Sequence, residues 1–275
     1  MGKRVYEFRN MKSVIPYFYS IKNIDRQIFT GDKPVLVTCS DRNAYICKYM
    51  HSSVSSYRLA CELTGSVMAK AWQIDTPKIA FININAAHWQ KLHLTHSNAP
   101  AIGSCLLSGV VDINSSNYWC VEKSSQMLID LLRIALFDFW IANEDRTVNN
   151  ANLLYDLERK KLVSIDYGGI FNTSSFDIEL TQLTLTDSIL YADLFSHLLD
   201  ETNRTNIQLL TEQLHAYFER SLLDSYSMQR IVIENIPKEW GVLQTKLTNK
   251  LENLFSPAWT ASVWDNFVSC LTESI

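Results

Sequence analysis

The loop after residue 141 and the apolar run that follows it hold the residues best suited to chemistry. Asp145 is followed five residues later by Asn150, and Asp166 comes directly after the apolar residues "LVSI". Two carboxylates and an amide oxygen make the hard ligand set that Mg²⁺ takes when it binds nucleotide phosphates. The pattern predicts a phosphoryl-transfer site. In it, Asp166 would bind metal, and Asn150 would bind a second metal or hold the loop. Asp145 would orient an acceptor hydroxyl and take its proton.

Each carboxylate also has a purely structural interpretation. An Asp that follows a helix commonly forms an Asx turn or a helix cap, and an Asp before two glycines can be a turn residue. Asp145 alone would be assigned to a turn. Because Asn150 and Asp166 accompany it, the site is the favoured interpretation. A charge directly after a buried strand also makes a plain turn a weak explanation for Asp166.

The other polar residues of this loop are weaker evidence for a functional site. Asn149 and Asn152 suit either metal binding or hydrogen bonds from the loop to its own backbone, and the two roles are equally favoured. Arg146 has two open roles, contact with phosphate or loop and simple solvent exposure. We expect its side chain to be exposed.

A lysine and a glutamate upstream are candidates for a phosphate-binding pair. Lys48 ends the β-rich run "AYICK", from which its ammonium can reach the α- and β-phosphates, and Glu62 on the next helix can hold it. The alternatives are a solvent-facing lysine and an ordinary surface glutamate. The pair gains support only from the downstream motif. Gly31, in "FTGDK", is a lone glycine and a weak signal for a phosphate-binding loop.

The elements that must position these residues fall into two parts. The first part is predicted to be rich in strands, with the β-rich runs "KPVLVTCS", "NAYICKYM", "TPKIAFININ" and "AIGSCLLSGVV". Apolar residues at positions 59, 63 and 67 predict one helix, which begins within the serines at 52–56. Residues 85–104 lack periodicity and are predicted to form a loop.

The second part is predicted to be helical around one small hairpin. A broad apolar stripe predicts a helix over residues 124–142, and residues 177–275 show mostly helical spacing. "NLLYDL" and "KLVSID" predict a hairpin whose ends bring Asp145 and Asp166 to one cleft. "DINSSN", residues 112–117, is the best candidate linker between the two parts.

Composition and net charge indicate a folded protein that binds neither nucleic acid nor membranes. The chain has 275 residues, of which 47% are hydrophobic and 20% charged, so a folded core is expected. The net charge of −4 disfavours binding along a nucleic-acid backbone. The six cysteines lack metal-ligand spacing, and no apolar run reaches the ~20 residues of a membrane span. A cytoplasmic protein is expected, with no direct nucleic-acid or membrane partner.

Two segments resemble HipA-like kinases. "FDFWIANEDRTVNNANLLY" followed by "LVSIDYGGIF" is similar to the family's catalytic segment. "FTGDKPVLVTCSDRNAYICKYM" resembles its turn glycine, strand, tight turn and strand ending on lysine. The resemblance covers about residues 25–175. The H-R-D and D-F-G motifs of protein kinases are only partly matched, because Asn143-Glu144 precedes Asp145 and "DYG" stands at 166–168. The Asp-Arg pair also resembles phosphatidylinositol-kinase loops.

The resemblance implies a fold and a nucleotide site. The fold is an α+β, two-lobed protein-kinase-like fold, with a strand-rich N-terminal lobe at residues 1–111 and a helical C-terminal lobe at 112–275. ATP and Mg²⁺ would lie between the lobes. The loop holding Thr30 and Gly31 would cover ATP, and backbone groups near Leu107, between Leu106 and Gly109, would meet the adenine.

The resemblance also implies an activity. It is transfer of the γ-phosphoryl group of ATP to a hydroxyl, most simply a protein Ser or Thr. Toxin-type kinases of this kind act on translation factors such as aminoacyl-tRNA synthetases, so such a protein substrate and an antitoxin-like inhibitor are candidate partners. Two alternatives stay open: a small-molecule or lipid kinase, and a nucleotide-binding pseudokinase or interaction module.

Overall fold

The N-terminal lobe is built on a six-stranded sheet. The structure is a computed structural model, which describes residues 15–89, 97–200 and 204–275. The strands follow the order β1-β5-β6-β4-β3-β2, with β1 parallel to β5 and the other pairs antiparallel. They are β1 Tyr17–Tyr19, β2 Arg26–Gln27, β3 Val35–Thr38, β4 Ala44–Lys48, β5 Ile79–Asn83 and β6 Ala101–Cys105.

One long helix, α1 (Ser56–Ala71), crosses from the sheet to the helical lobe. Its start confirms the predicted serine cap, since the side chain of Ser55 accepts from the backbone N–H of Arg58 at 3.2 Å. Eleven of its sixteen residues are buried. Six of these share one apolar core with the helices of the C-terminal lobe, whereas the other face of the sheet has a smaller core of its own.

Two of the predicted elements were wrong. The run "AIGSCLLSGVV" is not one strand, because the chain leaves β6 at Cys105 and turns at Gly109, whose φ of 69° suits glycine. The second half of the run, β7 (Val110–Asp112), belongs to another sheet. The predicted loop at 85–104 contains a short helix, α2 (Ala86–Trp89), and its residues 90–96 lie outside the described residues.

The predicted hairpin is confirmed and lies beside β7. Strands β8 (Leu153–Asp156) and β9 (Lys161–Ser164) are antiparallel, with Leu153 opposite Ser164, and the three-stranded sheet has the order β7-β8-β9. The pairing of β7 with β8 attaches the segment before residue 112 to the C-terminal lobe. The division of the chain at residue 112 stays a prediction.

The rest of the C-terminal lobe is helical. Helix α3 (Ser125–Ile141) begins at a Ser124 cap and ends at Ala142, whose φ of 51° is left-handed. Its apolar stripe packs against the later helices, and Trp140 stacks on Trp72 with ring centroids 5.1 Å apart. Among the described residues, no helix is long and apolar enough to span a membrane. The later helices are α4 Asp193–Leu198, α5 Ile207–Tyr226, α6 Met228–Asn235, α7 Gln244–Leu254 and α8 Pro257–Glu273.

A five-residue turn follows the second carboxylate motif. It spans Ile170–Ser174, and its residues 171–174 all have positive φ, between 51° and 63°. The carboxylate of Glu144 accepts from the side chains of Asn172 and Thr173, both at 2.8 Å. These hydrogen bonds tie the turn to the loop that contains Asp145.

Candidate active site

Four charged side chains from separate elements meet at the end of β4. The ammonium of Lys48 contacts Oε1 of Glu62, Oδ1 of Asp166 at 2.6 Å and Oδ2 of Asp32 at 3.0 Å. Glu62 projects from α1, Asp166 follows β9, and Asp32 lies in the loop between β2 and β3. The structure therefore joins the predicted Lys48, Glu62 and Asp166 across as many as 118 residues of sequence.

The charges of this cluster depend on burial and on one another. Burial would lower the pKa of Lys48, but its three carboxylate partners hold it above the usual range, so the ammonium stays charged. Burial raises the pKa of Glu62. Burial acts the same way on Asp166, but the Lys48 ammonium outweighs it and holds that pKa well below its ordinary value. Asp166 therefore stays ionised.

Exposure separates the back of the site from its mouth. The side chains of Lys48 and Glu62 are 11% and 6% exposed, whereas those of Asp166 and Asp145 are 29% and 34% exposed. The lysine and glutamate therefore form the inner wall, and the two aspartates face the opening. Ligands entering the cleft meet the two aspartates first.

Asp166 adopts a backbone conformation that is uncommon outside glycine. Its φ is 58°, in the left-handed region that Asp tolerates better than most residues. Oδ1 of the same side chain accepts from the backbone N–H of Gly168 at 3.3 Å. Outliers of this kind persist where the surrounding structure holds them, as the Lys48 contact does here.

Asp145 is held by its own loop and by one cation. Asn150 donates through Nδ2 to both Oδ1 and the backbone oxygen of Asp145, each at 3.1 Å. Nη2 of Arg58 lies 3.5 Å from Oδ2. Burial and the neighbouring Asp166 raise the pKa of Asp145, and Arg58 and Asn150 oppose this. A raised pKa suits a carboxylate that accepts a proton during a reaction.

Gly169 lies closely against this carboxylate. A Cβ built on Gly169 would lie 2.4 Å from the Cβ of Asp145. Any larger residue would displace one of the two, so the second glycine of "DYGG" sets the position of Asp145. This close approach explains why a glycine is needed at position 169.

The expectation that Arg146 is exposed was wrong. Its side chain is fully buried, and Nε donates to Oδ2 of Asp138 at 2.7 Å. The guanidinium also donates to Ser164 Oγ at 2.7 Å and to the backbone oxygens of Ala151, Asn152 and Ile165. Burial raises the pKa of Asp138 to about 6, although Arg146 and Asn143 oppose the shift. Arg146 thus fastens the loop that contains Asp145 to α3 and to the end of β9.

The neighbouring asparagines either form hydrogen bonds within the loop or tie the loop to α3. Asn152 has a φ of 46° and donates to the backbone oxygen of Asp145 at 3.2 Å, so it shapes the loop. The backbone N–H of Asn149 donates to Thr147 Oγ1 at 3.3 Å. Asn143 is fully buried, donates to Asp138 and accepts from the backbone N–H of Asp145. Asn143 therefore ties the start of the loop that contains Asp145 to α3.

The predicted nucleotide-contacting residues lie in two connecting segments of the chain. Thr30 and Gly31 are exposed at the tip of the β2–β3 loop, where Lys33 N–H donates to the oxygen of Thr30 at 3.0 Å. Leu107 is half-buried in the segment that connects the two sheets. Among the backbone hydrogen bonds of the described residues none uses its N–H, which leaves that group available to a ligand. Their nucleotide contacts stay predictions.

The donor set fits a hard divalent cation. Lys48 and Gly168 both contact Oδ1 of Asp166, so its second oxygen is the one that a cation can take. Asn150 uses its amide nitrogen toward Asp145, which leaves its carbonyl oxygen as a ligand. The carboxylates of Asp32, Glu62 and Asp166 also come within 4.8 Å of one another. These three carboxylates surround the Lys48 ammonium, so we interpret their grouping as a binding site for the lysine and not for a metal ion.

Sequence reasoning missed Asp32 and Arg58. Nε of Arg58 donates to both oxygens of Asp32, at 2.7 and 2.9 Å, and Asp32 also contacts Lys48. Asp32 adjoins Gly31 in the predicted covering loop, and Arg58 lies one helical turn before Glu62. The sequence offered no other indication of their roles, because their contacts join residues that are far apart in the chain.

A strand-rich lobe, a helical lobe and a Lys–Glu pair facing two aspartates define a kinase-like α+β fold and site. The chain matches the family model described as HipA-like kinase over residues 21–260. It therefore belongs to the HipA-like kinase family, as its sequence motifs indicated. Membership implies a phosphotransferase that uses ATP and a divalent cation.

Comparison with solved structures agrees on the fold. The Helicobacter pylori proinflammatory kinase CtkA is similar, with a TM-score of 0.54 and 10% identity over 94% of this chain and 99% of that chain. The golgi casein kinase has a TM-score of 0.43 and 11% identity over 92% of this chain and 74% of that chain, too distant to carry an argument. None of the curated proteins matches this sequence.

Proposed function

We propose that this protein transfers the γ-phosphoryl group of Mg·ATP to a Ser or Thr hydroxyl of a protein. The observation that carries the proposal is the contact of Lys48 with both Glu62 and Asp166, with Asp145 facing the same cleft. Lysine held by a buried glutamate binds phosphate oxygens, and an ionised aspartate beside it suits a metal. Toxin-type activity on a translation factor, with an antitoxin-like inhibitor, is the corresponding proposal for its partners.

Each residue has a defined part in the proposed reaction. Lys48 binds phosphate oxygens, and Glu62 keeps its ammonium in place. Asp145 orients the acceptor hydroxyl and accepts its proton as the hydroxyl oxygen bonds to phosphorus and ADP leaves. Asp166 and Asn150 would hold Mg²⁺, which neutralises phosphate charge when bound.

The test compares two isosteric variants. Asp145→Asn is expected to lose transfer, by about 10²–10⁴-fold, with nearly intact Mg·ATP affinity, because Asp145 contacts the acceptor. Asp166→Asn is expected to lose transfer and also to weaken Mg·ATP binding. Nucleotide titration and transfer of labelled phosphate onto a protein acceptor measure both quantities, and phosphoamino-acid analysis reports Ser or Thr. Full transfer by Asp145→Asn would contradict the mechanism.

A further inference from the structure

The guanidinium of Arg58 is a second cation in the candidate active site, and the proposed reaction does not use it. Nε donates to both carboxylate oxygens of Asp32, and Nη1 donates to the backbone oxygen of Gly168 at 3.3 Å. Nη2 lies 3.5 Å from Oδ2 of Asp145. The group therefore reaches from the loop over the nucleotide site to the carboxylate that would face the acceptor.

The Asp32 carboxylate lies between the two cations of the site. One of its oxygens is 3.0 Å from the Lys48 ammonium, and both oxygens accept from Arg58. Phosphate oxygens accept from an ammonium and a guanidinium in the same manner, and the planar guanidinium fork matches phosphate especially well. A buried side-chain anion therefore occupies an anion position that is built from Lys48 and Arg58.

Charge balance indicates that this anion has to leave for nucleotide to bind. In the described part of the site, the carboxylates of Asp32, Glu62, Asp145 and Asp166 contact only the cations Lys48 and Arg58. Because the phosphates of Mg·ATP carry more negative charge than the cation neutralises, adding Mg·ATP to this excess of negative charge is unfavourable. Withdrawing Asp32 removes one negative charge and opens the position between the two cations to a phosphate oxygen.

The location of Arg58 in α1 indicates that this residue does not stabilise the helix. It lies in the first turn of α1, three residues after the Ser55 cap, and that turn holds no acidic residue. A cation near a helix N-terminus is unfavourable to the helix dipole. Its contacts with Asp32, Asp145 and the Gly168 carbonyl account for its position there.

We propose that Arg58 is a catalytic residue that contacts the transferring phosphoryl group, and that Asp32 occupies this position until nucleotide displaces it. The inference rests on the proposed function. The phosphoryl group passes from the side of Lys48 to the side of Asp145, and Arg58 contacts Asp145 and the carboxylate partner of Lys48. Charge on the phosphoryl oxygens is then stabilised while the acceptor oxygen bonds to phosphorus, the bond to ADP breaks and the proton moves to Asp145.

Variants at the two positions give opposite results under this proposal. With ATP and ADP titrated by calorimetry in Mg²⁺, Arg58→Ala is expected to weaken ATP about 10- to 100-fold, the range for loss of hydrogen bonds to a charged group. ADP affinity should change much less, because ADP lacks the transferred group. Asp32→Ala is expected to strengthen ATP binding. Arg58→Lys, which keeps the charge without the fork, should restore ATP affinity partly.

A purely structural Arg58 predicts a different pattern. If Arg58 served only to hold Asp32, Asp32→Ala would reproduce the ATP affinity of Arg58→Ala, and that outcome overturns the inference. An unchanged ratio of ATP to ADP affinity in Arg58→Ala overturns it as well. If Arg58→Ala does not melt cooperatively, Arg58→Gln is judged by the same ratio.

Failure of the inference can be distinguished from failure of the proposed function. Wild-type protein that binds neither ATP nor ADP in Mg²⁺ contradicts the proposed function itself. Wild-type protein that binds ATP, together with an Arg58→Ala variant that keeps the wild-type preference for ATP, contradicts only the role of Arg58.

Discussion

Replacing Arg146 with methionine should destabilise the fold strongly, although this residue contacts neither Lys48 nor Asp166. Methionine removes the charge, but its unbranched chain fills much of the same space. The substitution leaves the buried Asp138 carboxylate with the amide of Asn143 as its remaining side-chain donor. It also removes the donors to Ser164 and to three backbone oxygens.

The expected magnitude follows from burial. Removing one partner of a buried ion pair costs about 3–5 kcal/mol. A loss of ~4 kcal/mol is a large share of the ~5–15 kcal/mol that stabilises a typical protein. At 2–4 °C per kcal/mol, the melting temperature should fall by roughly 8–16 °C. An exposed arginine would change stability by no more than about 0.5 kcal/mol.

The pH dependence has a definite sign. Burial raises the pKa of Asp138 to about 6 even with Arg146 present, and removal of the guanidinium should raise it further. The folded variant therefore takes up a proton at a higher pH than the wild type does, so its deficit relative to wild type should shrink as the pH falls toward about 6 and stay constant below that. The double variant Asp138→Asn with Arg146→Met should recover part of the loss, because no buried charge remains unpaired.

Urea denaturation of the wild type, the Arg146→Met and Asp138→Asn single variants and the double variant at pH 7 and pH 5 measures these differences. The reasoning is refuted if Arg146→Met costs less than about 1 kcal/mol, or if the double variant is as unstable as the sum of its single substitutions.

Three further outcomes are expected. Lys48→Met should abolish ATP turnover because it removes the phosphate-contacting ammonium; unchanged turnover in a steady-state assay would rule out that role. Gly169→Ala should reduce transfer without weakening Mg·ATP, since a Cβ there lies 2.4 Å from that of Asp145; calorimetry and a transfer assay separate the two, and wild-type transfer would contradict the contact. Nucleotide should raise the melting temperature only with Mg²⁺ or Mn²⁺, by a stabilisation of about 2.7 kcal/mol at a hundred times its dissociation constant; an equal shift in EDTA would count against a metal-bridged site.

The sequence predicted those parts of the site that depend on short spacing. Asp145 and Asn150 lie in one loop, and the predicted hairpin that follows brings Asp166 close to them. Lys48 was predictable because a charge ends a buried strand. The aspartates needed only a local pattern and the knowledge that a hairpin brings its ends together, whereas Lys48 gained its support from the downstream motif.

The contacts that were missed depend on tertiary structure. Asp138 interrupts the apolar stripe of α3, and Arg146 follows an aspartate, but nothing local indicates that the two form a buried pair. The same holds for Asp32 and Arg58, which lie 26 residues apart. The single strand predicted over 101–111 failed for another reason, because apolar residues continue across the turn at Gly109 and hide it.

The burial of α1 bears on how the two lobes fold. A Cβ on Gly65 in this helix would lie 2.2 Å from the Cβ of Tyr167, next to Asp166, so helix and motif are in direct contact. A chain shortened to the strand-rich lobe would expose the apolar face that α1 turns toward the C-terminal helices. We therefore expect the two lobes to unfold as one cooperative unit, because the helix that carries Glu62 completes its burial only against the distant second half of the polypeptide.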